Sequence, residues 1–110
     1  GAARQIMGDL MAARMKAVKL NQRTKVFFNA NDHGYKICND ANNDGTVANG
    51  EGDVENKDIQ NEFNGVTFSS YPNDLVFSPR GTATNRTVAL QNSTGSKSIT
   101  TSIAGRDKIN

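Results

Sequence analysis

The chain carries one helical period and then loses it. Between Ala2 and Gln22 apolar residues return at three- and four-residue steps, at Ile6, Leu10, Ala13, Ala17 and Leu20, which places them on one stripe of an α-helix. Ala, Met, Leu, Arg and Lys, all good helix formers, fill the segment. Past Arg23 that period does not recur. The runs TKVFF, YKIC, GVTFSSY, DLVFS, RTVALQN and SITTSIAG are short, rich in β-branched and aromatic residues, and separated by Asn, Asp, Gly and Pro. This is the pattern of successive antiparallel strands. A helix followed only by strands is an α+β architecture, here with a β-meander after residue 23.

At 110 residues the chain is expected to make one domain, with a helix over 1–22 and a β-rich part over 23–110. The strands Thr87 to Gln91 and Lys97 to Ile103 are predicted to form a hairpin across the connector NSTGS. Residues 39–62 hold ten Asn or Asp and three Gly with few apolar anchors, and they read as one long polar loop. The single cysteine, Cys38, has no partner for an intrachain disulfide, so core packing must hold the fold. No run is long and apolar enough to span a membrane. The helical pattern begins with no Ser, Thr, Asp or Asn ahead of it, and the expectation is a helix that continues upstream of residue 1. Met7, Met11, Met15 and Val18 widen its apolar stripe beyond what packing on one sheet requires.

The net charge of +2 conceals a segregation. Residues 1–36 carry seven Lys or Arg against Asp9 and Asp32, residues 37–63 carry seven acids against Lys57, and residues 78–110 carry five bases against Asp107. Both ends are basic and the middle is acidic.

The order of these features resembles the GspH/FimT family of minor type IV pilins and pseudopilins over nearly the whole chain. The residues that carry the resemblance are the basic helix end ARMKAVKLNQ, the D-x-N-x-D-G loop after the second strand, the segment Phe77 to Thr82 (FSPRGT), and the pair Gly105-Arg106. The resemblance implies a long N-terminal helix, its first half a membrane anchor and its second half packed on small antiparallel sheets. It implies a structural rather than enzymatic role, with a soluble domain in the bacterial periplasm or on a cell-surface filament. Its partners would be other minor pilins or pseudopilins, the major pilin, and the inner membrane through the upstream anchor. Ile6, Leu10, Ala13 and Ala17 are the expected assembly face, while Phe77, Pro79 and Gly81 are expected to fix a strand bend.

Two other sites compete with that reading. In DANNDGTVANGE, residues 40–51, Asp40, Asn42 and Asp44 stand at positions one, three and five of an EF-hand loop, Gly45 at six, Val47 at eight and Glu51 at twelve. A calcium ion could collect oxygen ligands from Asp40, Asn42, Asp44 and Glu51. The flanks argue for a turn instead, because a strand precedes the loop and Gly50 and Gly52 leave Glu51 on flexible backbone. A secreted calcium-binding module is the corresponding alternative function. The other site is basic. Arg86, Lys97, Arg106 and Lys108 could contact DNA phosphates, since FimT-type uptake pilins use a C-terminal Gly-Arg-x-Arg pattern. Asp107 interrupts that pattern here, and a net charge of +2 gives little long-range attraction. Catalysis finds little support. His33, the sole histidine, lies in a turn, and Cys38 on a predicted strand reads as a buried thiol.

Overall fold

The computed structural model describes residues 1–101 and 107–109. Helix α1 runs Ala2–Leu20. Asn21 ends it by turning into the left-handed region (φ 53°), which lets the Gln22 N–H donate to the Ala17 carbonyl at 3.1 Å. Eight strands follow: β1 Thr24–Phe28, β2 Gly34–Asn39, β3 Glu55–Asp58, β4 Thr67–Ser70, β5 Leu75–Phe77, β6 Arg86–Asn92, β7 Gly95–Thr101 and β8 Asp107–Ile109.

They do not make a meander. They divide into two antiparallel four-stranded sheets, in the orders β3-β2-β1-β5 and β4-β6-β7-β8. β4 leaves for the second sheet, and β5 returns to pair with the far edge of β1, Val26 opposite Leu75 and Thr24 opposite Phe77. The alternation Leu75 in, Val76 out, Phe77 in requires that return, since it puts two large side chains under the helix. The aromatic rings of Phe28 and Tyr35 from the first sheet meet Phe68 of the second at centroid distances of 5.1 and 5.8 Å. The Phe68 N–H donates to the Asp32 carbonyl at 2.6 Å, which ties the β1–β2 turn to β4.

The helix lies across both sheets and closes one core with them. Ala3, Ile6, Leu10, Ala13 and Ala17 face inward, and the small side chains at 3, 13 and 17 let strand backbone come close. Two polar links fix the helix to the sheet. The buried Thr24 hydroxyl donates to the Ala13 carbonyl at 2.9 Å, and the Tyr35 hydroxyl donates to the Asp9 carboxylate. Burial first and the neighbouring Asp9 second push the Tyr35 hydroxyl pKa far above its ordinary value, so it remains a donor.

Three expectations need correction. Residues 39–62 are not one loop: Glu55–Asp58 pairs along β2, and Ile59–Asn61 forms a single 3-10 turn whose Gln60 N–H is capped by the Asp58 carboxylate. ENKD has no apolar residue to announce a strand, because an edge strand can be held by backbone pairing alone. The terminal hairpin turns on two residues, not five, with Asn92 opposite Gly95. The Asn92 side-chain oxygen accepts the Thr94 and Gly95 N–H groups at 2.9 and 3.1 Å, and this local capping lets both strands run on into the predicted connector. Finally, the expected strand Lys97 to Ile103 is described as far as Thr101, residues 102 and 103 lying outside the described residues, and a further strand, β8, pairs with it.

The segment Phe77 to Thr82 does bend as expected. Gly81 has φ +80°, its N–H donates to the Ser78 carbonyl at 2.8 Å, and Phe77 bridges to Ala83 on the return. A Cβ at Gly81 would stand 3.1 Å from the Val18 side chain, so the turn rests against the helix. Beside it the Arg14 guanidinium lies 5.0 Å over the Phe77 ring.

Candidate functional site

The helix presents two apolar faces of different character. Ile6, Leu10, Ala13 and Ala17, expected to meet a neighbouring subunit, are each no more than 1% exposed within this chain alone. They hold the fold and are covered before any partner arrives, because the two sheets together need that whole stripe. The surface left for a partner is the other side: Met11 is 51% exposed, Met15 65% and Val18 46%. Met11, Met15 and Val18 follow one another at four and three residues, so they stack along one line of the helix. The broad stripe in the sequence thus resolves into an inner face and an outer one. Lys16, between them, donates to the Asp53 carbonyl at 2.7 Å and lies 3.5 Å from the Asp53 carboxylate, attaching the acidic loop to the helix.

That loop leaves directly from the end of β2. The Asp40 N–H donates to the Arg23 carbonyl at 2.9 Å, and the Asp40 side chain is buried. Its carboxylate accepts the Asp44 N–H at 3.2 Å and the Gly45 N–H at 2.9 Å. The Asn42 amide oxygen accepts the Asp44 N–H at 3.1 Å, and the Asp44 carboxylate accepts the Thr46 N–H at 2.9 Å. That Thr46 bond is the leading reason the Asp44 carboxyl titrates below its ordinary range. Gly45, at φ +88°, supplies the turn that position six requires.

Glu51 is not loosely held, contrary to expectation. Its two carboxylate oxygens accept the Ala48 N–H at 2.8 Å and the Asn42 N–H at 3.2 Å, and its own carbonyl accepts from Asn39 at 3.2 Å. The flanking Gly50 and Gly52 adopt φ of +90° and +77° to let it turn inward. Asp40, Asp44 and Glu51 each bring one carboxylate oxygen to within 4.8 Å of the others. These three could hold a hard divalent cation, with the Asn42 amide beside them. Asn39 joins this loop to the helix end: its amide donates to the Gln22 side chain at 2.8 Å and accepts the Asp53 N–H at 2.7 Å.

The basic residues are not gathered into a stripe among the described residues. Arg86 makes a two-pronged pair with Asp74, both bonds 2.7 Å, which lowers the Asp74 pKa and raises that of Arg86. Lys97 stands opposite Leu90 near the other end of the β6–β7 ladder, and Lys108 pairs with Thr100 in β8. Arg106 lies outside the described residues. His33 pairs with Asp58 at 2.9 Å, the same carboxylate that caps the 3-10 turn, and Cys38 is buried. The sequence shows that Met11, Met15 and Val18 exceed what a sheet needs, but not that Ile6, Leu10, Ala13 and Ala17 would be the covered side, and it gives no direct sign of the Asp9–Tyr35 link. Asp9 beside Leu10 on the apolar stripe was the available indirect signal for the latter.

A helix laid across two small antiparallel sheets, with an outer apolar line and a polar loop pinned to its end, defines a type IV pilin-like domain. The family profile described as type II transport protein GspH matches residues 2–105. The chain belongs to that GspH family, and it is a minor pilin or pseudopilin, a structural subunit of a pilus or pseudopilus. Its fold is similar to that of the type IV minor pilin FimU of Pseudomonas aeruginosa, with 23% identity, 99% of this chain and 85% of that one covered, and a TM-score of 0.72. It is also similar to the minor pseudopilin EpsH from the type 2 secretion system of Vibrio cholerae, with 11% identity, 98% and 92% coverage and a TM-score of 0.68. No curated protein sequence matches the chain.

Proposed function

We propose that this domain takes its place in a filament by laying the outer line of α1, Met11, Met15 and Val18, against the helix of a neighbouring pilin subunit. The observation that carries this reading is the exposure of those three side chains on a helix whose inner face is already fully used. Full burial of such a side chain from water contributes about 1.5 to 3 kcal/mol, and each of these, already half-buried, has roughly half of that still to gain. Among the described residues no helix is long and apolar enough to cross a membrane. In this reading the anchor precedes residue 1, as in the family the chain belongs to, and holds the domain at the outer surface of the bacterial inner membrane before assembly. The partners are other minor subunits and the major pilin.

The test is a Met15→Asp substitution in the full-length protein. We expect an unchanged melting temperature for the domain together with loss of co-purification with the other minor subunits. Retained co-purification in a folded Met15→Asp, Val18→Asp double variant would remove the outer line from the assembly.

The acidic loop supports a second role within the same domain, a structural calcium ion held by Asp40, Asp44 and Glu51. What favours it is the convergence of the three carboxylates on one point, with Asp40 buried. Such an ion would brace the loop against Lys16 and Gln22 at the end of the outer line. Calorimetric titration with calcium should give a saturable heat that an Asp40→Ala, Asp44→Ala double variant loses. A flat trace for the parent protein ends this reading.

A further inference from the structure

The first turn of α1, Phe63 and the β6–β7 hairpin enclose a groove of about 690 Å³. Its floor is apolar: Ala3, Val66 and Leu90 belong to the core, and Phe63 packs against it half-buried. Arg4 and Lys97 stand exposed along its rim, and among the described residues no carboxylate lines it. The pairing of Leu90 with Lys97 and Val88 with Ile99 puts Lys97 on the sheet face that carries the buried residues. Lys97 therefore overhangs the end of the core rather than the solvent side of the hairpin. Thr94 and Ser96 complete the same wall.

An oily floor under two positive charges, with no negative charge among the described lining residues, is complementary to an anionic amphiphile. A sugar would leave the floor unused, and a free small anion would leave it wet. We propose that this groove binds an anionic phospholipid, its phosphate between Arg4 and Lys97 and the first methylenes of an acyl chain on Phe63, Val66 and Leu90. The inference rests on the upstream membrane anchor proposed above, which would carry the first helical turn, and the groove with it, to the bilayer surface. There the lipid would orient the domain before it leaves the membrane for the filament.

The test is sedimentation of the 110-residue chain with vesicles of phosphatidylcholine alone and of equal parts phosphatidylcholine and phosphatidylglycerol. Binding should require phosphatidylglycerol. An Arg4→Gln, Lys97→Gln double variant should bind roughly 25-fold more weakly, about fivefold for each basic residue removed from an anionic surface. A Lys25→Gln, Lys36→Gln variant loses the same charge from the outer face of the first sheet and should bind as the parent does. Equal binding to both vesicle types overturns the proposal, and so do equal losses in the two double variants, which would mean diffuse attraction without a site. In NMR spectra, short-chain soluble phosphatidylglycerol should move the amide signals of Ala3, Phe63 and Leu90 first. No upstream segment takes part in these measurements, so their failure removes the groove without touching the anchor. A full reading frame with no apolar segment before residue 1 would remove the anchor and leave the vesicle result standing as measured.

Discussion

Leu10 and Met11 are neighbours in sequence, about 100° apart around the same helix, one covered and one not, which makes them a direct test of its two-faced construction. Leu10 is 1% exposed and Met11 51%. Truncating a buried leucine to alanine removes its transfer free energy and leaves a cavity, and in a site walled by two sheets and a helix little collapse is available, so the cost is about 3 kcal/mol. Unfolding entropy of about 2.1 cal/mol/K per residue gives about 0.23 kcal/mol/K for a chain of this size, so Leu10→Ala should lower the melting temperature by about 13 °C. Met11→Ala removes a side chain that is half in water already and installs a better helix former, so its effect should stay within about 0.5 kcal/mol, or about 2 °C. Thermal unfolding followed by circular dichroism at the helix band reads both. Comparable losses in the two variants would show that the helix does not sit as described, and a larger loss for Met11→Ala would reverse its orientation.

Gly81 combines φ +80° with a Cβ position 3.1 Å from Val18, so Gly81→Ala should destabilise the domain by about 1 to 3 kcal/mol in urea unfolding, and an unchanged midpoint would mean that the turn does not rest on the helix. The carboxyls of Asp58 and Asp74 titrate low because of bonds from His33 and Arg86 respectively. A depressed folded pKa gives stability that is present above the unfolded value, about 3.9, and lost as pH falls through the folded one. Melting temperature should therefore drop as pH falls below about 4, and Asp58→Asn or Asp74→Asn should flatten the curve in that window. A variant as steep as the parent would locate the acid sensitivity elsewhere.

What the sequence made legible follows from which signals are local. The helix boundaries, the TKVFF and RTVALQN strands and the bend at Gly81 depend on periodicity and turn chemistry within a few residues, and they stand where expected. The partition into two sheets depends on where β5 returns, a long-range pairing that three residues cannot announce. β3 was invisible because its side chains contribute nothing to the core and its pairing is all backbone. The spacing of Asp40, Asp44 and Glu51 in the sequence brings one oxygen of each to within 4.8 Å of the others, but the fixing of Glu51 is not legible there, since glycines that look floppy in a sequence here supply the positive φ that turns its carboxylate inward. The helix stripe was seen as one surface because a wheel shows which residues share a side, not how wide a scaffold will cover them. Two sheets cover more of α1 than one would, and the choice of assembly residues moved from Ile6, Leu10, Ala13 and Ala17 to the line on the other side.

Disulfide or bismaleimide cross-linking in assembled filaments examines that outer line most directly. Cys38 is buried, so a cysteine placed at Met15 is the accessible thiol, and it should join the subunit to a neighbouring pilin carrying a cysteine on its own helix. A cysteine at Thr94, on the hairpin turn far along the chain, should give no such product. Products from Thr94 and none from Met15 would contradict the account, because the filament contact would then lie on the second sheet and the exposed methionines would face water.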